Sequence, residues 1–342
     1  MKFLKIFQAA LLATAVTFSF TACDDDDDPE PGTENNDGGS TGTTTPPVAD
    51  AGILFPVTSI SDGKDVIYKF NYVDGRLVGG MCDYNLAFSI HYNPLRIQED
   101  YNGEDGEYEH VKINNIKVNA SGFVTYADIT YDGLEYEYDS ETETDVEYRW
   151  HVTGTGTFGY DKDGHMTSTI FDLKDGEDVD HTEINYTWSN GDLMKCSEHY
   201  TWNYSEDGDK GVFITTSFTY NLSRPNSGIF LPCVMDNFDE GYLWYAGLLG
   251  KPSQNIPTSY VSGEGEEGNG YTYTRTIDVK YNPNGSIAEL TEKSGNEYQG
   301  DRYVYGYGAT KAAAVSAPGT KKPVFGPAKR MIERMKSRRN NK

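Results

Sequence analysis

Cysteine is scarce in this chain. Four occur in 342 residues, and Cys23, Cys82, Cys196 and Cys233 are too widely spaced to form a disulfide framework. Long apolar runs are scarcer still: the only one is Ile6 to Phe20, at the amino terminus. No G-x-S-x-G stretch marks a hydrolase nucleophile. His91, His110, His151, His165, His181 and His199 include no helix-spaced metal pair, and Cys196 and His199 would face opposite sides of a strand. Asp161-Lys-Asp163-Gly164 starts like a calcium loop, but Asp172 falls where the closing glutamate belongs, so the segment reads as a turn. Acidic residues are so numerous that no carboxylate pair stands out as a glycosidase couple. Cations are rare outside the ends. The chain carries a net charge of −24 while residues 309–342 hold ten Lys or Arg against Glu333 alone. The middle is therefore strongly acidic, which argues against nucleic acid as a partner.

The amino terminus holds a positive n-region, Lys2 and Lys5, then the apolar stretch, then Phe20-Thr21-Ala22-Cys23. That is the layout of a secretory signal peptide, and the stretch is too short to be preferred as a spanning helix. Small residues directly before a cysteine resemble a lipobox, with Phe20 where Leu is usual. Residues 1–22 are thus expected to be a signal peptide and Cys23 a lipid-anchor site, a palmitate-type attachment to the membrane. Asp24 to Asp28 follow at once. They resemble the export signal of surface lipoproteins in gut-type Gram-negative anaerobes, which implies the outer leaflet of the outer membrane; a periplasm-facing lipoprotein is the alternative. Pro29 to Pro47 is rich in Gly, Thr, Pro and Asn and has no apolar periodicity. Residues 23–50 read as an acidic linker spanning about 25–30 Å.

The body, 51–308, alternates with period two. Tyr271, Tyr273, Arg275, Ile277, Val279 and Tyr281 share one face, and Thr272, Thr274, Thr276, Asp278 and Lys280 the other. Val66 to Tyr72, Ile184 to Trp188 and Val212 to Tyr220 repeat the pattern. Between these strands lie turns of one kind: Tyr72-Val-Asp-Gly75-Arg-Leu77, Tyr160-Asp-Lys-Asp-Gly164-His-Met166, Trp188-Ser-Asn-Gly191-Asp-Leu193 and Tyr281-Asn-Pro-Asn-Gly285-Ser-Ile287. Asn119-Ala-Ser-Gly122-Phe-Val124 is a weaker copy. Each places an aromatic before the turn and an apolar residue two beyond the glycine, and Asp-Gly and Asn-Gly tolerate the positive φ of tight hairpins. Acidic loops are expected at 99–109 and 139–147. The fold expected is all-β: an antiparallel hairpin meander forming a curved sheet, open or closed into a barrel. One short helix is expected near 239–249, capped by Asp236 or Asp239 and ended by Gly250. In the tail, 309–342, Ala328 to Arg339 has the pattern of a basic amphipathic helix with Met331, Ile332 and Met335 on one side. It would touch anionic lipid or another protein, be disordered, or fold back on the acidic body.

These hairpins, together with Trp244-Tyr-Ala-Gly-Leu-Leu-Gly-Lys-Pro-Ser-Gln-Asn-Ile-Pro257, resemble a lipoprotein-borne domain of unknown function with a porin-like fold, found in gut anaerobes. The hairpins are more loosely similar to tyrosine-aspartate repeats. The resemblance covers about 60–308 and implies a curved or closed antiparallel sheet. Its motifs are structural, so it implies no catalytic residues and no membrane-embedded pore. A spanning barrel needs an apolar outer band about 25 Å tall, and the candidate outer faces carry many Tyr and Thr.

The function expected is a surface-exposed, non-enzymatic lipoprotein that binds a glycan, an apolar ligand or a partner through its curved sheet, without a cofactor or metal. Trp150, Trp188, Trp202, Tyr204 and Trp244 are the candidate binding residues, because exposed aromatics stack on sugars and apolar ligands. Two alternatives stand beside it: a carboxylate-dependent glycoside hydrolase, and a structural subunit of an outer-membrane assembly joined through the basic tail. The ligand, the oligomeric state and any pairing of Cys82, Cys196 and Cys233 are not fixed by the sequence.

Overall fold

A computed structural model of the chain describes residues 55–82, 86–103, 106–139, 144–203, 210–235, 240–266, 269–295, 301–308 and 327–340. The amino-terminal segment with Cys23, and Asp236 and Asp239, lie outside them. The strands are β1 (Val57–Ser61), β2 (Val66–Val73), β3 (Arg76–Cys82), β4 (Leu86–Tyr92), β5 (Leu95–Asn102), β6 (Tyr108–Val118), β7 (Val124–Asp139) and β8 (Thr144–Tyr160). They continue as β9 (Met166–Asp175), β10 (Asp178–Ser189), β11 (Asp192–Trp202), β12 (Lys210–Thr219), β13 (Ser259–Glu266), β14 (Asn269–Tyr281), β15 (Ile287–Ser294) and β16 (Arg302–Tyr307). Each pairs antiparallel with its sequence neighbour, and β16 returns to pair with β1, closing the barrel. The all-β hairpin meander expected from the alternation is therefore present, and it is closed. The acidic stretches at 99–109 and 139–147 lie largely within strands rather than loops, because β5 to β8 run on through them.

The repeated turns gather at one end, here termed the turn end. Asp74 and Gly75 have φ of 50° and 76°, and Asn190 and Gly191 have 51° and 79°, as two-residue hairpins require. The structure also explains the apolar residue after each of these turns, and the aromatic before two of them, Tyr160 and Trp188. Tyr92 donates a hydrogen bond to the Leu77 carbonyl at 2.9 Å, Tyr160 to Val124 at 2.8 Å and Trp188 to Met166 at 2.7 Å. Tyr220 donates to Leu193 at 2.9 Å and Tyr307 to Ile287 at 2.8 Å. In each case the aromatic ending one strand is tied to the apolar residue starting its neighbour, where no turn joins them. Burial pushes Tyr92 and Tyr307 up to about 12, so both remain neutral donors.

A barrel of 16 strands is too wide for its wall side chains to fill; porins of that size leave an aqueous channel. Here the chain fills the lumen itself. Residues 220–258, between β12 and β13, turn inward from the turn end. They include α1 (Pro232–Met235) and a 3-10 turn, Gly241–Leu243, which is the short helix expected near 239–249. Tyr242, Trp244, Tyr245, Leu249 and Ile256 are 0–2% exposed. Tyr242 stacks on Phe88 at 3.8 Å between centroids, and Tyr245 packs on Phe70 at 5.1 Å. Each such side chain contributes about 1.5–3 kcal/mol by leaving water.

The outer wall is polar. Arg96, Lys112, Arg149, Lys174, Lys195, Asp278, Lys280 and Lys293 are exposed on seven different strands. Asp100, His110, Asp132 and His151 form one cross-strand row over β5 to β8. His110 Nδ1 lies 2.8 Å from Asp100, and His151 Nδ1 contacts Asp132.

Two predictions follow from this wall. Replacing Tyr160 by Phe removes one tie between strands and should lower stability by about 0.5–1.5 kcal/mol, read by urea denaturation. Hydrogen bonds from Arg302 and Lys280 hold the Glu289 carboxyl down at about 2, against an ordinary 4.5. The folded form therefore favours the ionised carboxylate. Its contribution is complete above about pH 4.5 and fades as pH falls toward 2. Melting curves should show Glu289→Gln less stable than the parent at pH 7, with the gap closing by pH 2.

Candidate ligand site in the barrel lumen

The far end of the lumen, opposite the turns, is filled by α2 (Pro327–Asn340). Pro327 occupies a first-turn position where its missing N–H is harmless, and Ala, Arg, Lys, Met and Glu are strong helix formers. Ala328, Met331, Ile332 and Met335 make a stripe at helical spacing and are 1%, 0%, 5% and 8% exposed. The tail thus takes the last of the courses open to it in the sequence: it folds back on the acidic body.

Four cations of α2 meet carboxylates that the strands aim inward. Arg334 lies 2.6 Å from Asp180 on β10, and Arg330 contacts Glu198 on β11. Lys336 contacts Glu135 on β7, and Lys329 lies 3.9 Å from Glu109 on β6. Asp180 and Glu198 are 2% and 4% exposed, so the cations offset a large desolvation cost. Burial pushes the Glu198 carboxyl above its usual range, and Arg330 pulls it part of the way back.

Aromatic rings complete the site. Arg334 sits 4.4 Å from the Tyr200 ring centre and 4.5 Å from that of Trp202, while Arg330 lies 5.0 Å from Tyr200. Tyr200 and Trp202 stack on each other at 5.3 Å. Lys336 lies 5.5 Å from the Trp150 ring. Trp150 rests on the backbone of Gly133, its partner across β7 and β8; a Cβ there would come within 2.0 Å of the indole. Deeper in, α2 approaches the loop filling. Burial and the neighbouring Glu240 raise the Glu99 carboxyl well above its usual range, and Lys329 opposes them. Tyr131 donates a hydrogen bond to Glu240.

Of the aromatics singled out in the sequence, Trp150 and Trp202 meet under α2. Trp188 and Trp244 lie toward the turn end. Trp188 stacks on His165 at 4.4 Å, and Trp244 is 2% exposed against Phe230. Tyr204 lies outside the described residues. Next to His165 a surface depression of about 720 Å³ is lined by Asp163, Asn190, Lys251, Ser253 and Gln254. Asp161 accepts hydrogen bonds from the backbone of Asp163 and His165 at 2.9 Å each, so this stretch is the hairpin turn expected. Cys82 and Cys196 are buried, and Cys233 is half-buried. Among the described residues no group of three or more His, Cys, Asp or Glu is arranged to hold a metal ion. Sequence reasoning missed Asp180, Glu198 and Tyr200. The signal was an acid on an aromatic face: Asp180 shares its side of the strand with Ile184 and Tyr186.

No protein-family model matches this chain, and no curated protein matches it. Solved structures do. A porin-like protein from Bacteroides vulgatus aligns with a TM-score of 0.46 at 12% identity, over 74% of this chain and 99% of that one. A porin-like protein from Bacteroides uniformis aligns with a TM-score of 0.26, also at 12% identity, over 62% and 95%. Both structural neighbours are thus porin-like by description, as the hairpins suggested, while the closed barrel of this chain is defined by its own strand pairing.

Substituting Gly133 by Ala should drive the Trp150 indole off β7. The expected result is a red-shifted tryptophan emission and a lower melting temperature, while Gly106→Ala, strained by its φ of 87° but with open space around it, leaves the emission unchanged.

Proposed function

We propose that this chain is a lipid-anchored, surface-exposed, non-enzymatic binding protein that keeps its barrel in water and receives its ligand in the far half of the lumen. One observation carries the reading. Charged residues occupy the outer wall around the barrel, and each Arg or Lys would cost about 2–4 kcal/mol at a bilayer midplane. The lumen, meanwhile, is packed with the chain's own side chains. A barrel wet outside and filled inside conducts nothing; it presents a surface. Attachment then falls to lipid on Cys23, and the run Asp24 to Asp28 favours the outer leaflet. Trp150 and Trp202, with Tyr200, form the aromatic part of the ligand site.

The reading is tested on cells. The parent should incorporate labelled palmitate and be shaved from intact cells by added protease. Cys23→Ala should lose the label and stay monodisperse in buffer without detergent. A Cys23→Ala chain that needs detergent, or a parent that takes no label, overturns it.

A further inference from the structure

The two fillings of the lumen are fastened differently. The loop 220–258 is stitched to the wall through its backbone. The Leu248 carbonyl accepts from the Val124 amide at 2.9 Å, and the Lys251 amide donates to Gly164 at 3.0 Å. The Gln254 amide donates to Gly191 at 2.9 Å, the Thr258 amide to Thr219 at 2.7 Å, and the Thr258 carbonyl accepts from the Ile277 amide at 2.9 Å. Such a segment is part of the fold. By contrast, the contacts described between α2 and the wall are made by side chains: the four ion pairs, the ring contacts and a short stripe rich in methionine. Methionine adapts to its surroundings and specifies packing weakly. Nor is α2 continuous with the wall, since eighteen residues separate Gly308 from Pro327.

We propose that the far half of the lumen is a receptor site for a basic amphipathic helix of another polypeptide, and that α2 is its tethered placeholder. The proposal rests on reading the lumen as the ligand site, and it names the ligand's class. The chemistry of the walls fixes that class. Asp180 and Glu198 are nearly excluded from water and need cations. Tyr200, Trp202 and Trp150 offer ring faces, which suit planar guanidinium best. Arg330 and Arg334 stand one helical turn apart, and both reach Tyr200. A neutral or acidic helix would strand these carboxylates without partners, so the site rejects it. When α2 leaves, Asp180 and Glu198 must regain water or meet the partner's cations, so exchange requires that one or the other take its place. Because α2 belongs to the same chain, a partner must compete with an intramolecular contact.

The test uses the full chain carrying Cys23→Ala and a fluorescent peptide of residues 327–340. Arg330→Glu with Arg334→Glu should loosen the tethered helix, so that the peptide binds at least tenfold more tightly than to the parent. Adding Asp180→Asn and Glu198→Gln should abolish that binding, and a peptide with Gln at every Lys and Arg should not bind. A second arm does not depend on the variants folding. A protease site is placed between residues 309 and 326, the folded protein is cut, and native mass spectrometry follows replacement of the released helix by the labelled peptide. Replacement supports the proposal. A cut helix that stays bound through gel filtration and resists a hundredfold excess of peptide overturns it. In that case the palmitate and protease results still stand or fall separately.

Discussion

A closed wall of 16 strands encloses more space than its own side chains can occupy, and every other feature of the molecule answers that geometric surplus. Left empty, the lumen would surround apolar residues such as Phe70, Phe88 and Ile97 with confined water. Folding therefore requires a second source of apolar surface. The chain supplies it from a long insertion between β12 and β13 and from the helix after β16. The insertion brings large rings, and the wall facing it is apolar. The helix brings cations, and the wall facing it is acidic. The two halves of the lumen are thus two chemically different interiors within one cylinder.

The outer surface follows from the same arrangement. Because the inner face of each strand is committed to the fillings, the outer face is free to be wet, and it is. The alternation that builds a porin, apolar outward and polar inward, is reversed around most of this wall.

The sequence revealed much of the wall and little of its contents. Hairpins were legible because positive φ is a local requirement that Asp-Gly and Asn-Gly satisfy within two residues. Even the apolar residue two beyond each glycine reflects a bond between strands, since its carbonyl accepts from an aromatic of the neighbouring strand. Closure was not legible, since β1 and β16 come from opposite ends of the domain and neither carries a mark of the other. The segment around Tyr242 suggested a helix because its apolar residues are dense. They are dense because the barrel encloses the segment on all sides, and only Gly241–Leu243 is helical there. The tail's helical stripe could be read directly, but its counterpart could not. Glu109, Glu135, Asp180 and Glu198 lie on four strands and converge only after the sheet has curled.

The strands are also very unequal, and this has a mechanical consequence. β7 and β8 are 16 and 17 residues long, whereas β1 and β16, which make the closing pair, have five and six. The hoop is therefore thick on one side and thin on the other, like a bracelet with a small clasp. Thermal agitation or an applied pull would part it first in that thin stretch, where β16 pairs through short ladders with both β1 and β15, leaving the stout arc and the helix leaning on it intact.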